Sequence, residues 1–510
     1  MTMVLHSMAA TARLQVQYIL AVLETVLYGA FVMCNTASGL PPGLTPEQAS
    51  VMNSLPKDVR TVASLLGLEP DIVRYACCPK CFAIYPPDLS HPDDPYPHVC
   101  TFQETDKPAC GSPLVYRQIH APTHKKGPAR TTFEPIRVYP YLPLQSWLKD
   151  LVTRPALRQY LRSAWQDTNT SDRWTDIRQA EAFRSFLGPD RKLFSEQPDG
   201  SYHLIFSLFV DWFNPFGNKK AGKSHSIGGI YLVCHNLPEH LRYRVENMYL
   251  AAIIPGPKEP ALHQLNHLLR PLIDELLALW YRGIYFSNPT PELSVFVRAA
   301  VIPLVCDIPA LRKTGGFAGH SSSHFCSFCQ LLKDNINDLD RRHWPHYSWQ
   351  EHLLYATEWL KAPTEARREA VFKAHGLRWS ELLRLPYWDP TRFAVVDAMH
   401  NLFLGELRHH CRDVWGLNVK DKSHTDGSSA AEIHPHNPAQ QREQLRRAHD
   451  ALLSGARSTL KKIRKGYITS IARFNAVAPQ DGLQTKSAYI ESLIEWVGYP
   501  SNLFSVPQSH

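Results

Sequence analysis

The sequence predicts an α+β chain of several domains: N-terminal helices, a zinc-ribbon-like cysteine module, a mixed-sheet core and a C-terminal helical insertion. Three observations predict it. Five apolar β-like runs fall between residues 204 and 396, with one long leucine-rich helical stretch among them. Five cysteines crowd between residues 77 and 110. Both ends of the chain carry helical periodicity and helix-start chemistry. The expected boundaries are 1–75 for the N-terminal helices, 76–115 for the cysteine module, 116–195 for a helical connector, 196–400 for the sheet core and 401–510 for the helical insertion. A chain of 510 residues is long enough for several such units.

In residues 1–75, Tyr18–Met33 is the most apolar stretch. Glu24 stands in its middle and only His6 and Arg13 precede it, which suits neither a signal peptide nor a membrane span, so a buried helix and no membrane contact are expected. Leu44-Thr-Pro-Glu-Gln48 reads as a helix start, with Thr45 as the N-cap and Pro46 in the first turn. In the module that follows, Cys78-Pro-Lys-Cys81 forms a CxxC knuckle, and Cys100 and Cys110 supply two more thiolates. Four thiolates suit tetrahedral Zn²⁺, and a segment too short for its own apolar core gains folding energy from the metal. Cys77 is a spare neighbour, and His91 or His98 are alternatives to a late cysteine. The connector carries Trp147, Trp165 and Trp174 on expected helices.

The core opens at the turn Asp199-Gly200. The run Leu204-Ile-Phe-Ser-Leu-Phe-Val-Asp211 follows, then Ile227–His235, then Met248–Ile254. Leu262, Leu265, Leu268, Leu269, Leu272, Leu276 and Leu279 recur at helical spacing. Val301-Ile-Pro-Leu-Val-Cys-Asp307 is the fourth strand, and Phe393-Ala-Val-Val396 the fifth, followed by Asp397. Three strands, a helix and a strand, with an acid ending the first and fourth strands, is the order of an RNase H-like nuclease core. In such a core, Asp211 and Asp307 would hold two divalent metals, Mg²⁺ or Mn²⁺, that act on phosphodiesters. The competing reason for acids at these places is that turns favour Asp.

Three further segments bear chemistry. His320-Ser-Ser-Ser-His324-Phe-Cys326-Ser-Phe-Cys329 holds a second knuckle, and two thiolates need further ligands, which Asp397, His400, His409 or His410 offer. Asp397 and His400 read equally as a helix cap with its neighbour and as metal or active-site support. Gly217-Asn-Lys-Lys-Ala-Gly-Lys-Ser224 matches a nucleotide P-loop, but a β-like run follows where a P-loop needs a helix, so a hairpin turn is expected, with Lys219, Lys220 and Lys223 offering DNA-backbone contacts.

Composition agrees with a globular chain: 44% hydrophobic, 20% charged and 40 prolines that demand frequent breaks. A net charge of +8 permits an anionic partner without demanding one. The basic clusters His124–Arg130 and Lys461-Lys-Ile-Arg-Lys465 are local. The eleven cysteines suit metal binding in a reducing compartment.

Six ordered stretches resemble the transposases of CACTA (En/Spm-like) DNA elements, in the form abundant in mushroom-forming fungi. They are Tyr75-Ala-Cys-Cys-Pro-Lys-Cys-Phe82, Asp211-Trp-Phe-Asn-Pro-Phe-Gly-Asn218, Ile254-Pro-Gly-Pro-Lys-Glu-Pro260, Asp307-Ile-Pro-Ala-Leu-Arg-Lys313 with Gly316–His320, Phe325-Cys-Ser-Phe-Cys329, and Asp397-Ala-Met-His-Asn-Leu-Phe-Leu-Gly405. The resemblance covers about residues 70–500. It implies a DDE transposase with an RNase H-like core, acting on element ends and target DNA in the nucleus, with a possible homo-oligomeric assembly. It maps the first two catalytic acids onto Asp211 and Asp307, an intervening CxxC onto Cys326 and Cys329, and a [C/D]xxH motif onto Asp397 and His400. In related recombinases such a CxxC shares zinc with later histidines, which implies zinc at Cys326, Cys329 and His400. The family's third acid is a glutamate beyond a helical insertion, and the chain stops at His510 inside the stretch that resembles that insertion, so a truncated product is expected. Glu491 and Glu495 are the remaining glutamates considered for that role. The rival expectation is a catalytically inactive, zinc-bearing DNA- or protein-binding remnant.

Overall fold

The structure, a computed structural model, describes residues 13–121, 130–166, 174–215, 225–417, 438–475, 477–479 and 485–498. It divides into two compact units, residues 1–417 and 418–510. The boundary lies beyond the expected 400, because the helical segments Met399–Leu407 and His410–Val414 go with the first unit.

The first unit is built on one mixed sheet. Its strands in chain order are β1 (Val73–Cys77), β2 (Ile84–Tyr85), β5 (Val138–Tyr141), β6 (Ser201–Phe213), β7 (Ile227–Cys234), β8 (Met248–Ile254), β9 (Ile284–Phe286), β10 (Val295–Cys306) and β11 (Ala394–Val396); β3 (Val115–His120) and β4 (Arg130–Pro135) form a separate hairpin. The spatial order is β11-β10-β6-β7-β8-β5-β1-β2, with β9 added to the start of β10. β6, β7 and β8 run as an antiparallel meander, while β10 is parallel to β6 and β11 is parallel to β10. The five core strands expected from sequence are all present. The segment 116–195 departs from the expected helical connector: it opens with β3, β4 and β5, whose alternating Val, Tyr, Thr and Phe favour pleated pairing.

β6 is central and buried on both faces from Ser201 to Leu208, so it reads as a continuous apolar run rather than an alternating one. The helix Leu265–Tyr281 lays Leu265, Leu268, Leu269, Leu272, Leu276 and Leu279 into the core, each such side chain contributing roughly 1.5–3 kcal/mol by leaving water. It runs on through Pro271 as one element. Its Glu275 also organises the neighbouring helix Leu144–Thr153. That helix has Pro143 at its N-cap and no side-chain cap of its own, and the Glu275 carboxylate accepts from the Leu144 N–H at 3.1 Å, the Gln145 N–H at 3.0 Å and the Tyr141 hydroxyl at 2.5 Å.

At the N-terminus, Thr45 caps the helix Pro46–Ser54 as expected, with a reciprocal bond from its own N–H to Gln48. The helix Arg13–Ala37 corrects the sequence expectation. It is long and apolar enough to cross a membrane, by length and composition only, yet just 6% of its most apolar window is buried. Tyr18 is 72% exposed and Met33 74%. The helices Pro46–Ser54 and Val59–Leu65 that pack against it are short and bury only Met52 and Val59, too little surface to cover it.

The second unit is helical: Pro438–Leu453, Arg457–Leu460, Lys465–Phe474 and Lys486–Val497. It has its own core of Ala448, Leu452, Leu460, Ile463, Ile468, Tyr489, Ile490 and Leu493.

Candidate functional site

Three acids gather at one end of the sheet. β10 pairs with β6 in two registers. Phe296 lies beside Ser201 and Val301 beside Phe206, residues 95 apart; after an irregularity between Val301 and Leu304, Leu304 lies beside Leu208, residues 96 apart. The extra residue falls at Ile302-Pro303, where Pro303 has no N–H to give to a ladder. Beyond it the offset persists: the Val210 N–H points at the Cys306 sulfur, 3.3 Å away and 96 residues on. Asp211 and Asp307 are separated by the same offset and therefore stand level. Without the bulge Asp307 would stand level with Trp212, on the alternate face of the strand. β11 adds the third acid. Cys306 pairs with Val396, and the Asp397 N–H donates to the Cys306 carbonyl at 2.8 Å, which sets Asp397 level with Asp307.

Electrostatics give the same grouping. The buried Cys306 thiol lies behind the acids; burial raises its pKa, and the charges of Asp307, Asp211 and Asp397 raise it further. Tyr231 on β7 is pushed up to about 12 by burial, with Asp211 and Asp397 among its neighbours. His400 is raised above the usual imidazole value, first by its hydrogen bond to Asp397 and then, against some desolvation, by the charges of Asp397, Asp307 and Asp211.

The three carboxylates are differently engaged. Asp211 is exposed and makes no side-chain hydrogen bond or ion pair among the described residues. Asp307 caps the helix Ile308–Gly315, its Oδ1 accepting from the Ala310 N–H at 2.8 Å, while Oδ2 has no partner among the described residues. Asp397 accepts from the Met399 N–H at 3.0 Å through Oδ1 and holds His400 Nδ1 through Oδ2. Asp307 is thus a helix cap through one oxygen, and Asp397, the residue expected to cap, accepts one helix-start N–H through one of its own.

A half-buried cation braces the same end. Lys313, on the helix that Asp307 caps, reaches Glu259 at 2.6 Å and lies 4.5 Å from the centre of the Trp212 ring, next to Asp211. Glu259 also accepts from the Ser226 hydroxyl at 3.1 Å. The loop Ile254–Pro260 is thereby tied to both acid-bearing elements. Lys313 and Glu259 carried no role in the sequence reading; a lone Lys and Glu far apart in the chain give no pairing signal. Asp397 did carry one, since it follows β11 as Asp307 follows β10; Asp211, expected to close its strand, lies inside β6, which runs on to Phe213.

The four-cysteine cluster is the second site. Cys78, Cys81, Cys100 and Cys110 bring their sulfurs within 4.8 Å of one another, the only group of three or more ligand-type side chains so close among the described residues. The Cys78–Cys110 separation is 3.7 Å and Cys81–Cys100 is 3.5 Å, near the ~3.8 Å between sulfurs that sit 2.3 Å from a tetrahedral Zn²⁺. Burial alone would raise the Cys78 thiol, but N–H donors of Cys81 and Lys80 and neighbouring thiols bring it down to about 7, which favours the thiolate a metal needs. Cys77 stays outside, buried and pushed up to about 12. His91 and His98 pair with Asp88 and Asp94 on the surface instead.

Cys326 and Cys329 adjoin each other, and the Phe328 N–H points at the Cys326 sulfur at 3.3 Å, a knuckle-type contact. Among the described residues no third ligand joins them. The histidines expected to do so are engaged elsewhere: His400 with Asp397, His409 with Asp413, His410 with the Glu406 carbonyl. Glu491 is paired with Arg457 at 2.8 Å. The P-loop match lies in 217–224, outside the described residues; β7 begins at Ile227 and pairs back onto β6, with Phe213 beside Ile227, so a strand stands where a P-loop needs a helix.

Residues 179–374 match the family model described as Transposase family tnp2. The matched segment contains Asp211, Asp307 and the Cys326–Cys329 knuckle, and supports a transposase with DNA as its partner. No curated protein matches the chain.

Proposed function

We propose that the chain is a DDE-type DNA transposase of the CACTA kind, performing metal-dependent phosphodiester cleavage and strand transfer with an RNase H-like core in the nucleus. The observation that carries the reading is the level placement of Asp211 and Asp307 on adjacent parallel strands inside the tnp2-matched segment.

The donor chemistry fits Mg²⁺ or Mn²⁺. Asp211 and Asp307 Oδ2 are hard oxygen donors without competing cations, as such ions require. When bound, the ions would activate the attacking water or 3′-hydroxyl and stabilise the leaving oxygen. Asp211, within β6, and Asp307, directly after β10, would hold them. Asp397 would supply the third carboxylate in place of a glutamate, and it holds the His400 ring through Nδ1. Lys313 and Glu259 keep the two strand ends in place. The four-thiolate module would hold structural zinc.

A second reading, an inactive zinc-bearing DNA-binding remnant, draws on the Asp397–His400 pair, which occupies one carboxylate oxygen. The deciding experiment incubates the full chain with Mg²⁺ or Mn²⁺ and a DNA duplex carrying the element's terminal repeat. Metal-dependent nicking that disappears in Asp211→Asn and Asp307→Asn supports the transposase; Mn²⁺ binding without nicking supports the remnant; neither binding nor nicking ends both the nuclease chemistry and the metal assignment.

A further inference from the structure

The basic cluster that the sequence left as a local charge run takes on a definite shape in the second unit. Between Arg457 and Arg473 stand six cations and no acid. Leu460, Ile463 and Ile468 are buried in the unit's core, and this spacing turns Lys461, Lys462, Arg464 and Lys465 outward, all four exposed. They surround the turn into the helix Lys465–Phe474, which has Arg464 at its N-cap and no side-chain cap bond, so its first N–H groups face the same surface. A further cation enters from another helix, where Lys486 Nζ donates to the Lys461 carbonyl at 2.6 Å. Of the unit's described acids, Glu443 pairs with Arg446 and Glu491 with Arg457, Asp450 lies beside His449, and Glu495 has an interaction of its own. Lys461, Lys462 and Lys465 have no ion pair among the described residues.

From this arrangement we infer that the turn Lys461–Lys465 is a docking surface for the phosphate backbone of a nucleic acid. The inference goes beyond the catalytic reading, since docking requires neither the acids nor their metals and lies outside the tnp2-matched segment. A phosphate backbone fits better than a lipid surface because the face carries cations with no large apolar side chain exposed from Arg457 to Arg473 to insert into a bilayer. It fits better than an acidic peptide because the cations are exposed on consecutive positions around a helix start with no side-chain cap, an arrangement that receives successive phosphates rather than burying a side chain. Contacts of this type position a duplex without reading its sequence.

The test uses the full chain, a labelled DNA duplex of arbitrary sequence and fluorescence anisotropy across a salt series. Replacing Lys461, Lys462, Arg464 and Lys465 together by Ala should weaken binding by about tenfold or more near 0.1 M salt and lower the salt slope by about 3 to 4, one unit per lost phosphate contact. The all-Arg or all-Lys version of the same four positions should bind as the original does, which separates charge from folding. A control that removes four exposed cations of the first unit, Arg282, Arg341, Lys361 and Lys373, should leave the slope within one unit of the original. Unchanged affinity and slope in the four-Ala variant overturn the inference. So does an equal loss in the control, or competition by polyglutamate or anionic vesicles as strong as by unlabelled duplex.

Discussion

Asp211 and Asp307 stand level across neighbouring parallel strands because β10 carries one more residue than β6 between Val301 and Leu304. The apolar halves of both strands pair in one register and the site-bearing ends in another. Strand side chains alternate between faces, so that single residue decides whether the second acid joins the first or turns away.

Replacing Asp211 by Asn should therefore abolish metal binding at little cost in stability, because this carboxylate makes no hydrogen bond among the described residues. Asp307→Asn should lose metal affinity with the helix cap kept, since Asn caps well, whereas Asp307→Ala should also lose about 1 kcal/mol of stability. Mn²⁺ titration paired with thermal melting separates the two effects. An Asp211→Asn protein that binds Mn²⁺ with unchanged affinity contradicts the site.

Removing metal from the cysteine module should lower the melting temperature of the chain, and metal analysis should find about one zinc per chain. Cys81→Ser should do likewise without chelator. Purified protein that melts identically with and without a strong chelator, and carries no zinc, rules the centre out.

Acid should destabilise the chain between about pH 6.5 and 4. His352 is fully buried with neither ring nitrogen partnered, and burial lowers it to about 4; His235 is lowered to about 3. Their folded pKa values lie below the unfolded value, so as pH falls through about 6.5 the unfolded chain takes protons that the folded chain refuses, and stability drops. For His352 the loss at pH 5 is about 2 kcal/mol, at 1.36 kcal/mol per unit. Urea melts of His352→Phe should show a shallower acid limb than the parent. Equal pH slopes would show that this ring titrates normally.

Lys223→Ala should leave nucleotide binding unchanged because β7 stands where a P-loop helix is required. Equilibrium dialysis with labelled ATP checks this. Saturable binding that vanishes in the variant contradicts the hairpin.

The core strands were legible because each is an apolar run; Asp307 and Asp397 directly follow two of them, and Asp211 stands two residues before the end of a third. The four thiolates were legible from spacing. The bulge was not: Ile302-Pro303 looks like ordinary strand, and an offset exists only between two strands. The exposed helix Arg13–Ala37 was misread because apolar composition says how much surface seeks burial, not whether any neighbour is large enough to cover it. The expected meeting of His400 with Cys326 and Cys329 failed for a similar reason: motif order gives no distance, and Asp397, three residues away, is the nearer partner.

β1 and β2 carry the thiolate module and also form the outer border of the sheet, beyond β5. β2 is only two residues long, so most of the outward side of β1 is guarded by the cysteine loop rather than by another strand. A metal that closes this loop therefore also acts as a cover against intermolecular strand addition. Depletion of zinc would do more than loosen a small module: it would bare the outward N–H and C=O groups of Val73–Cys77, those that β5 does not pair, and favour self-association of otherwise folded chains.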